Sequence, residues 1–356
     1  MERLQIVRKQ LPDLNLDALL VTNPQNRRYL SGFSGSAGVL LLSSAEAFIV
    51  TDFRYWEQVD QEVKEFALSK QGPNLWQSVS ELIQKMGWNK VGFEANSLTF
   101  QEHLLLREAL SSNVSLIPTT DLIEKQRWVK DGGEIKLLAE AARITDKALA
   151  ETLATIKPGI QEREIALEFD YQLRLNGAEG NSFTTIAISG QRTALPHGAA
   201  SARKVAPGDL VLIDGGALYQ GYHGDLTRTV VLGKASVEQK RIYRVVLEAQ
   251  QKALDYLKAG LLGYEVDKVA RDFLADQGFR DYFGHGLGHS VGLNIHESPR
   301  LAPTEANPIP AAAVITVEPG VYIPGWGGVR IEDLVVVTDT GIHNLTGSPK
   351  EDLLEL

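Results

Sequence analysis

The feature of this 356-residue chain that most restricts its fold is a weak internal duplication in its second half. Each copy runs from a proline-led turn into an apolar strand that ends in an acid. A glycine-rich bend with an aromatic residue then leads to a second acid and a second apolar strand. The copies span residues 207–232 and 310–337, and helical patterns precede each of them. Two such halves facing each other predict a domain in which four acids meet at a common centre.

The four acids of the duplication are Asp214 and Asp225 in the first copy and Glu318 and Glu332 in the second. The loop at 220–224 allows a hairpin in which the two aspartates face each other, and their charges would repel unless a divalent cation binds between them. Three of these acids also have a purely structural interpretation. Asp214 could serve a turn, Asp225 could cap a strand, and Glu332 could pair with Arg330 across the sheet.

Histidines are concentrated between residues 285 and 296, which hold three of the seven in the chain. Glycines at 284, 286, 288 and 292 make a helical zinc pair of His285 and His289 unlikely. An extended backbone would instead aim His289 at a metal and His296 at substrate, whereas the alternative is a hydrogen-bonded core residue. His197 lies in a Pro-His-Gly bend, which is typical of a functional loop or of a simple surface turn.

Four carboxylates and one imidazole form an oxygen-rich donor set that suits Mn²⁺ or a similar ion, and they indicate metal-assisted hydrolysis. The chain has no cysteine, which excludes thiolate ligands, cysteine nucleophiles and disulfides. Its formal charge of −9 indicates neither nucleic acid nor an anionic membrane as a partner. No apolar stretch approaches a membrane span, and the amphipathic opening lacks a signal-peptide core, so we expect a cytoplasmic protein.

The first third of the chain alternates predicted strands and helices. We expect strands at 16–22, 91–93 and 114–117, a helix from 25 to 30, and a hairpin formed by 38–42 and 47–51. A long helix begins near Ile135, and further helical segments cover 160–175 and 242–273. The predicted domains are therefore an α/β domain at 1–122, a linker at 123–133, and a catalytic domain at 134–356.

Several short motifs occur together in a fixed order. They are PHG at 196–198, DGGA at 214–217, DLTRT at 225–229, GHGLGH at 284–289, HE at 296–297, EPG at 318–320 and RIED at 330–333. With them the chain resembles the proline-specific metallopeptidases of the prolidase and aminopeptidase P group, within the family (M24) that also contains methionine aminopeptidase and creatinase. The segments YLSGFSGSAG at 29–38 and TDFRY at 51–55 resemble the amino-terminal domain of prolidases and creatinases.

The resemblance implies an α+β fold. A pita-bread catalytic domain with pseudo-twofold αββ halves follows a smaller α/β creatinase-type domain. It implies two divalent ions, first of all Mn²⁺ with Co²⁺ or Zn²⁺ as alternatives, and no other cofactor. The implied ligands are Asp214, Asp225, His289, Glu318 and Glu332, with Asp225 and Glu332 bridging both ions.

The implied activity is hydrolysis of the Xaa-Pro bond in dipeptides or short peptides by a homodimer, with dipeptidase activity favoured over aminopeptidase P activity. Glu318 would shuttle a proton while His197 and His296 stabilise the oxyanion. Arg300 would hold the carboxylate of a dipeptide. Further expected substrate contacts are Tyr222, His285 and Arg330. The alternatives are a creatinase-like hydrolase of a small non-peptide amide and a non-catalytic binding relative.

Overall fold

The protein divides into two compact units, of which the first ends at Arg127 and the second covers Trp128–Leu356. The computed structural model describes residues 2–356. Within that part of the chain, no helix combines the length and the apolar character that a membrane span requires. The domain limits of 122 and 134 remain a proposal, because the segment between them contains a short helix and the first residues of a long one.

The first unit is a mixed six-stranded sheet flanked by helices, with strand order β4-β3-β2-β1-β5-β6. The β2–β3 hairpin that the sequence predicts is present, with Val39 opposite Val50. The elements are α1 (Glu2–Asp13), β1 (Ala18–Val21), α2 (Pro24–Ser31), β2 (Val39–Ser43), β3 (Ala47–Thr51), α3 (Trp56–Glu62), β4 (Ala67–Lys70), α4 (Leu75–Met86), β5 (Lys90–Glu94), α5 (Phe100–Ala109), β6 (Ser115–Thr119) and α6 (Glu124–Arg127).

Local sequence explains where the helices of this unit begin. Asn23 accepts hydrogen bonds from the first backbone amides of α2, and Pro24 follows it with a dihedral angle already suited to a helix. Thr99 and Glu102 form a reciprocal capping box at the start of α5. Trp76 and Ile83 of α4 belong to the same buried cluster as strand residues of the sheet, so this helix closes one face of the core.

The second unit consists of two halves, each with two helices followed by an antiparallel sheet. The first half contains α7 (Gly132–Leu153), α8 (Glu162–Leu175), β7 (Gly180–Asn181), β8 (Ile186–Ser189), β9 (Leu210–Gly215), β10 (Ala217–Tyr219), β11 (Tyr222–His223) and β12 (Leu226–Val231). The second half contains α9 (Val237–Tyr256), α10 (Gly263–Asp276), β13 (Gly288–Ser290), β14 (Glu297–Leu301), β15 (Val314–Val317), β16 (Gly320–Ile323), β17 (Gly327–Arg330), β18 (Asp333–Val337) and β19 (Ile342–Asn344).

The predicted duplication is confirmed by the strand pairing of the two halves. In the first half β9 pairs antiparallel with β12, and the small hairpin of β10 and β11 lies between them in the chain. In the second half β15 pairs antiparallel with β18, and the hairpin of β16 and β17 lies between them. The two halves thus repeat one arrangement of strand, hairpin and strand, as the pita-bread expectation requires.

One helix prediction in this unit is wrong. The apolar pattern at 242–273 suggested a single helical segment, but the structure has two helices, α9 and α10, separated by residues 257–262. Gly260 lies in this break at φ +87°, a backbone conformation that glycine adopts at little cost. The two helices pack into one buried cluster with the second sheet, in which Val246 and Ala270 contribute beside Ile315.

Candidate metal centre

The four acids of the duplication lie at equivalent ends of the paired strands. Asp214 is the penultimate residue of β9, and Asp225 directly precedes β12. Glu318 directly follows β15, and Glu332 directly precedes β18. Because the strands of each pair are antiparallel, the end of one lies beside the beginning of the other. The small hairpin between them in the chain therefore leaves the two acids of each half at the same edge of the sheet.

The register shows how the two aspartates approach each other. Asp214 pairs with Thr227, so Asp225 lies diagonal to Asp214 and not directly opposite it, as the simple hairpin argument assumed. Residues two apart on one strand share a face, which keeps both side chains on the same side. One carboxylate oxygen from each of Asp214, Asp225 and Glu332 falls within 4.8 Å of the others, close enough to share a metal ion.

His289 points its Nε2 atom into this group of acids. The Nε2 atom lies 3.5 Å from Asp225 Oδ2 and 3.4 Å from Glu318 Oε1. The Nδ1 atom lies 3.2 Å from the carbonyl oxygen of Ser290, a contact that suits donation from an Nδ1–H. Burial, with the nearby His296 as the next cause, lowers the pKa of His289 to about 3. The neutral ring then presents a lone pair at Nε2, as a metal-binding imidazole does.

Burial also makes the charged form of all four acids unfavourable in the protein without metal. It is the largest cause of the raised pKa of Asp214, which the Arg330 guanidinium partly offsets. The pKa values of Asp225 and Glu332 lie well above their usual range, because of burial first and neighbouring carboxylates second. Burial raises the pKa of Glu318 to about 7.

The site fits divalent cations on these grounds. Oxygens of Asp214, Asp225 and Glu332 lie close together, and the imidazole lone pair of His289 lies near Asp225 and Glu318. This crowding of acceptors is unfavourable without a positive charge between them. All five predicted ligands line the same cavity, and their role as ligands stays a prediction.

Arg330 is fully committed to protein groups inside the site. Its Nη2 atom forms an ion pair with Asp214, its Nε donates to Thr227 Oγ1 at 3.0 Å, and its Nη1 donates to Tyr322 Oη at 2.9 Å. The ion pair with Glu332 that sequence spacing suggested is therefore not formed. Thr227 Oγ1 instead donates to Glu332 at 2.6 Å. Arg330 thus orients Asp214. It also lines the cavity described below, and its expected role as a substrate contact stays a prediction.

His285 belongs to the same network. Its Nε2 atom lies 2.9 Å from Tyr322 Oη, and its Nδ1 atom lies 2.7 Å from the carbonyl oxygen of Gly286. Burial lowers the pKa of His285 to about 4, so the ring is neutral and accepts the tyrosine hydroxyl. Both ring nitrogens are thereby occupied, although the ring edge still lines the cavity described next. Tyr322 was not predicted as a site residue, and the only signal for it was the aromatic position shared by the two copies.

A cavity of about 390 Å³ opens onto the acids. All but one of the predicted site residues line it, and the exception is Tyr222. The Tyr222 hydroxyl donates to Glu134 Oε1 at 3.0 Å in the interior, and its expected role as a substrate contact stays a prediction. The cavity wall also contains three apolar residues that no sequence pattern pointed to, namely Phe183, Ile186 and Ile295.

Three predicted residues lie at the solvent-exposed part of this cavity: His197, His296 and Arg300. Within residues 2–356, none of their side chains forms a hydrogen bond or an ion pair, although the His296 ring stacks edge-on against His289 at 4.4 Å between centroids. Burial is the largest cause of a lowered pKa of His296, followed by Arg300. These groups are therefore available to a ligand that enters the cavity.

A larger cavity of about 970 Å³ lies elsewhere in the second unit, between α7, α9, β12 and the C-terminal segment. None of the predicted site residues lines it. Its charged lining is nearly balanced, with Lys240 paired to Glu355 and Arg228 paired to Asp333. The candidate metal centre therefore lies at the smaller cavity and not at the larger one.

Comparison with known proteins agrees with this geometry. Residues 136–339 match the model of metallopeptidase family M24, and residues 3–129 match that of the creatinase/prolidase N-terminal domain. An Xaa-Pro dipeptidase of Pyrococcus horikoshii is 38% identical, with 95% of this chain and 94% of that protein covered.

Two solved structures are similar over nearly their whole length. An Xaa-Pro dipeptidase from Bacillus anthracis is 42% identical with a TM-score of 0.97, covering 100% of this chain and 99% of that one. An X-Pro aminopeptidase from Thermotoga maritima is 36% identical with a TM-score of 0.92, covering 97% and 99%. The chain therefore belongs to metallopeptidase family M24 and combines a pita-bread catalytic domain with a creatinase/prolidase N-terminal domain.

Proposed function

We propose that this metallopeptidase hydrolyses the Xaa-Pro bond of dipeptides and short peptides. The observation that carries the proposal is a cluster of three buried carboxylates, with Glu318 and the His289 lone pair beside it, in a cavity whose exposed part holds His197, His296 and Arg300. The similar proteins from Pyrococcus, Bacillus and Thermotoga carry Xaa-Pro peptidase names, which supports the same substrate class here.

The proposed metal ligands are Asp214, Asp225, His289, Glu318 and Glu332. An oxygen-rich set with one imidazole and no thiol suits Mn²⁺, with Co²⁺ and Zn²⁺ as competing ions. A bound pair of divalent ions supplies a water molecule that ionises near neutral pH, and it polarises the scissile carbonyl group. Asp214 is kept in place for this role by Arg330, and Glu332 by Thr227.

Proton transfer, oxyanion stabilisation and packing of the proline ring are assigned to Glu318 and to side chains around the ligands. Glu318 Oε1 already accepts a hydrogen bond from Thr316, so Oε2 is the oxygen that takes the proton of the attacking water and passes it to the proline nitrogen. His197 and His296 face the cavity without protein partners, and they donate to the oxygen that becomes negative in the transition state. The apolar side chains of Phe183, Ile186 and Ile295 supply a wall against which the pyrrolidine ring packs.

Arg300 supports a preference for dipeptides. Its guanidinium lines the cavity and, among residues 2–356, forms no ion pair, while its backbone is held opposite His289 by the pairing of β13 and β14. A guanidinium offers two parallel donors that match a carboxylate. A dipeptide that ends in proline places its free carboxylate within the reach of such a group.

Aminopeptidase activity on longer peptides is the second candidate. Arg300 is exposed at the cavity mouth, so its position does not by itself exclude a chain that continues beyond proline. The Thermotoga structure with an aminopeptidase name is also similar over nearly its whole length.

The deciding experiment compares an Xaa-Pro dipeptide with the matching Xaa-Pro-Yaa tripeptide, using metal-stripped protein before and after addition of Mn²⁺, Co²⁺ or Zn²⁺. We expect metal-dependent cleavage, with kcat/KM higher for the dipeptide. An Arg300→Met variant should raise KM for the dipeptide and leave tripeptide cleavage nearly unchanged.

Predominant tripeptide cleavage would make the protein an aminopeptidase and remove the role of Arg300. Cleavage of neither peptide by the metal-loaded protein would contradict the proline-specific proposal, and a small non-peptide amide would become the next substrate to test.

We also infer a homodimer. Leu167, Tyr171 and Leu175 form an exposed apolar stripe at four-residue spacing on α8, a surface that association would cover. Sedimentation equilibrium of the 39.1-kDa chain should give twice that mass, and a monomer at micromolar concentration would exclude a stable dimer.

A further inference from the structure

The loop at residues 190–200 carries His197 to the cavity. Outside contacts to the loop include the Gly328 N–H, which donates to Thr193 Oγ1 at 2.7 Å, and Arg330 Nη1, which lies 3.4 Å from the carbonyl oxygen of Pro196. Inside the loop, Leu195 donates to the carbonyl oxygen of Arg192, and Gly198 donates to that of Leu195. The imidazole of His197 has no hydrogen-bond partner in the described part of the chain. Its position therefore depends on these backbone contacts and on how the two ends of the loop are fixed.

Glu162, the first residue of α8, contacts both ends of this loop. Its Oε1 atom accepts the backbone N–H of Ser189 at 2.8 Å and the Ser189 hydroxyl at 2.9 Å, just before the loop. Its Oε2 atom accepts the backbone N–H of Ser201 at 3.1 Å and the Ser201 hydroxyl at 2.6 Å, just after it. One carboxylate thus joins two residues that are twelve positions apart in the chain.

The contacts of Glu162 with Ser189 and Ser201 are called the Glu162 clasp below. Their charge and burial make the clasp specific for a carboxylate. The Glu162 side chain is completely buried, and its charge is balanced by the Nε atom of Arg192 at 3.1 Å. The Nη2 atom of Arg192 continues to the carbonyl oxygen of Ala199 at 2.6 Å, on the far side of His197. Two oxygens therefore serve two N–H groups, two hydroxyls and a guanidinium, and no neutral side chain of this size offers so many acceptor sites.

We propose that Glu162 is a positioning residue for His197: its buried carboxylate fixes the two ends of the 190–200 loop and so sets where the imidazole stands at the metal centre. The helix start that supplies Glu162 is otherwise remote from the reaction, since neither Glu162 nor Ser201 lines the cavity. The proposal rests on the proposed Xaa-Pro peptidase activity for its kinetic test but not for its structural one.

The decisive variant is Glu162→Gln, which keeps the shape and turns one acceptor oxygen into a donor. Its amide then faces an N–H or a hydroxyl of Ser189 or Ser201, so one end of the loop loses its bond. We expect kcat for the Xaa-Pro dipeptide to fall at least about tenfold, since small misplacements of a catalytic group are costly. KM and bound metal per chain should stay close to those of the wild type.

A double-mutant cycle separates positioning from general damage. In a His197→Ala background, Glu162→Gln should change kcat by less than about twofold, because the group it positions is already gone. An equal fall of kcat in both backgrounds would overturn the proposal. Ser201→Ala removes one hydroxyl bond and leaves the carboxylate, and it should show the same pattern with a smaller effect if Glu162→Gln does not fold.

Hydrogen–deuterium exchange tests the clasp without any substrate. Peptides covering residues 190–200 should exchange faster in Glu162→Gln than in the wild type. The matched control is Glu164→Gln, which changes the capping box of the same helix turn but not the loop. Its exchange at 190–200 and its kcat should equal those of the wild type. Unchanged exchange in a folded Glu162→Gln variant would overturn the proposal even if the wild type cleaves no Xaa-Pro peptide.

Discussion

At the scale of single residues, the candidate metal centre contains more hydrogen-bond acceptors than its donors can satisfy. Asp225 and Glu332 are buried beside other carboxylates, and the lone pair of His289 faces two of the acids. Arg330 brings a permanent positive charge into the ligand cluster, and it is committed to Asp214. In the metal-free protein the charged carboxylates therefore repel one another, and a bound cation would relieve that repulsion.

This repulsion predicts the pH dependence of stability in the metal-free protein. The pKa of Glu318 is raised to about 7, and those of Asp225 and Glu332 lie well above their usual range. These three acids bind more protons in the folded than in the unfolded chain above about pH 4, so they make the free energy of unfolding fall as pH rises through their folded pKa values. The lowered pKa values of His285 and His289 act in the opposite direction, but only below about pH 6.5, and the three acids outnumber them. Thermal unfolding of metal-stripped protein should show a lower Tm at pH 8 than at pH 5.5.

Metal should reverse this trend, because cations compete with protons for the same carboxylates and bind better as pH rises. Saturating Mn²⁺ should raise Tm at both pH values. The increase should be larger at pH 8 than at pH 5.5. In the metal-free protein, Glu332→Gln should reduce the fall of Tm between pH 5.5 and pH 8. A Tm that is independent of both pH and metal would show that these acids do not form the predicted centre.

The exposed histidine His296 makes a different prediction from the ligands. It contacts His289 only through ring stacking, so His296→Ala should retain both metals. Loss of one oxyanion donor should lower kcat about 10²-fold. Elemental analysis together with steady-state kinetics checks both statements, and the loss of metal in this variant would show that His296 is a ligand.

At the scale of elements, the loop that carries His296 is tied to the start of α7 by a buried ion pair. Lys130 Nζ lies 3.3 Å from Glu297 Oε2 and 3.2 Å from Ser290 Oγ, and both side chains of the ion pair are almost completely buried. The backbone N–H of Lys130 also donates to the carbonyl oxygen of Ala312. The residues just before the first half of the catalytic domain thus fasten loops of the second half.

Removal of Lys130 should take one positive charge away from the buried carboxylate of Glu297. We expect Lys130→Met to lower the free energy of unfolding by about 3 kcal/mol. Urea unfolding at fixed metal concentration measures the change. The exposed Lys147, which lies 3.8 Å from Glu151, is the matched control, and Lys147→Met should change stability by less than about 0.5 kcal/mol.

The double variant Lys130→Met/Glu297→Gln separates the pair from the packing of the lysine chain. It should recover part of the lost stability, since the unbalanced charge has gone. Equal stability of the single and double variants would mean that the charge of Glu297 is not what the lysine compensates.

At the scale of the whole molecule, the catalytic domain has two possible first residues. The compact second unit begins at Trp128, whereas the sequence predicts a start at residue 134. Residues 128–356 contain Lys130 and also Asp131, which caps α7 by accepting hydrogen bonds from Gly133 and Glu134. Residues 134–356 contain every proposed ligand but neither of these groups.

Expression of the two shortened chains tests which limit is the physical one. We expect 128–356 to bind metal and to unfold cooperatively. The 134–356 chain should bind metal with a lower Tm, because it lacks the cap, worth about 1 kcal/mol, and the buried ion pair. Thermal unfolding and elemental analysis measure both properties. Equal Tm values would support the limit at 134.

Much of this architecture could be predicted from the sequence because it is local or periodic. The two copies of strand, acid, bend, acid and strand predicted the paired sheets, and the order of short motifs predicted the family. Glycine spacing correctly argued against a helix around His289, which the structure places in β13. The break between α9 and α10 was missed, because the apolar pattern continues on both sides of it.

The partners of each polar group were decided only by the tertiary structure. Arg330 and Glu332 are two apart in the chain, yet the arginine pairs with Asp214, because β17 brings it beside the first half. Tyr222 stands between the two aspartates in sequence but turns into the interior to reach Glu134. Glu162 carried no signal at all, since a buried carboxylate that joins Ser189 to Ser201 looks in the sequence like an ordinary acid at the start of a helix. Hydrogen bonds between distant segments leave no periodic trace along a chain, so the sequence by itself determined the set of chemical groups, and the fold decided which of them act together.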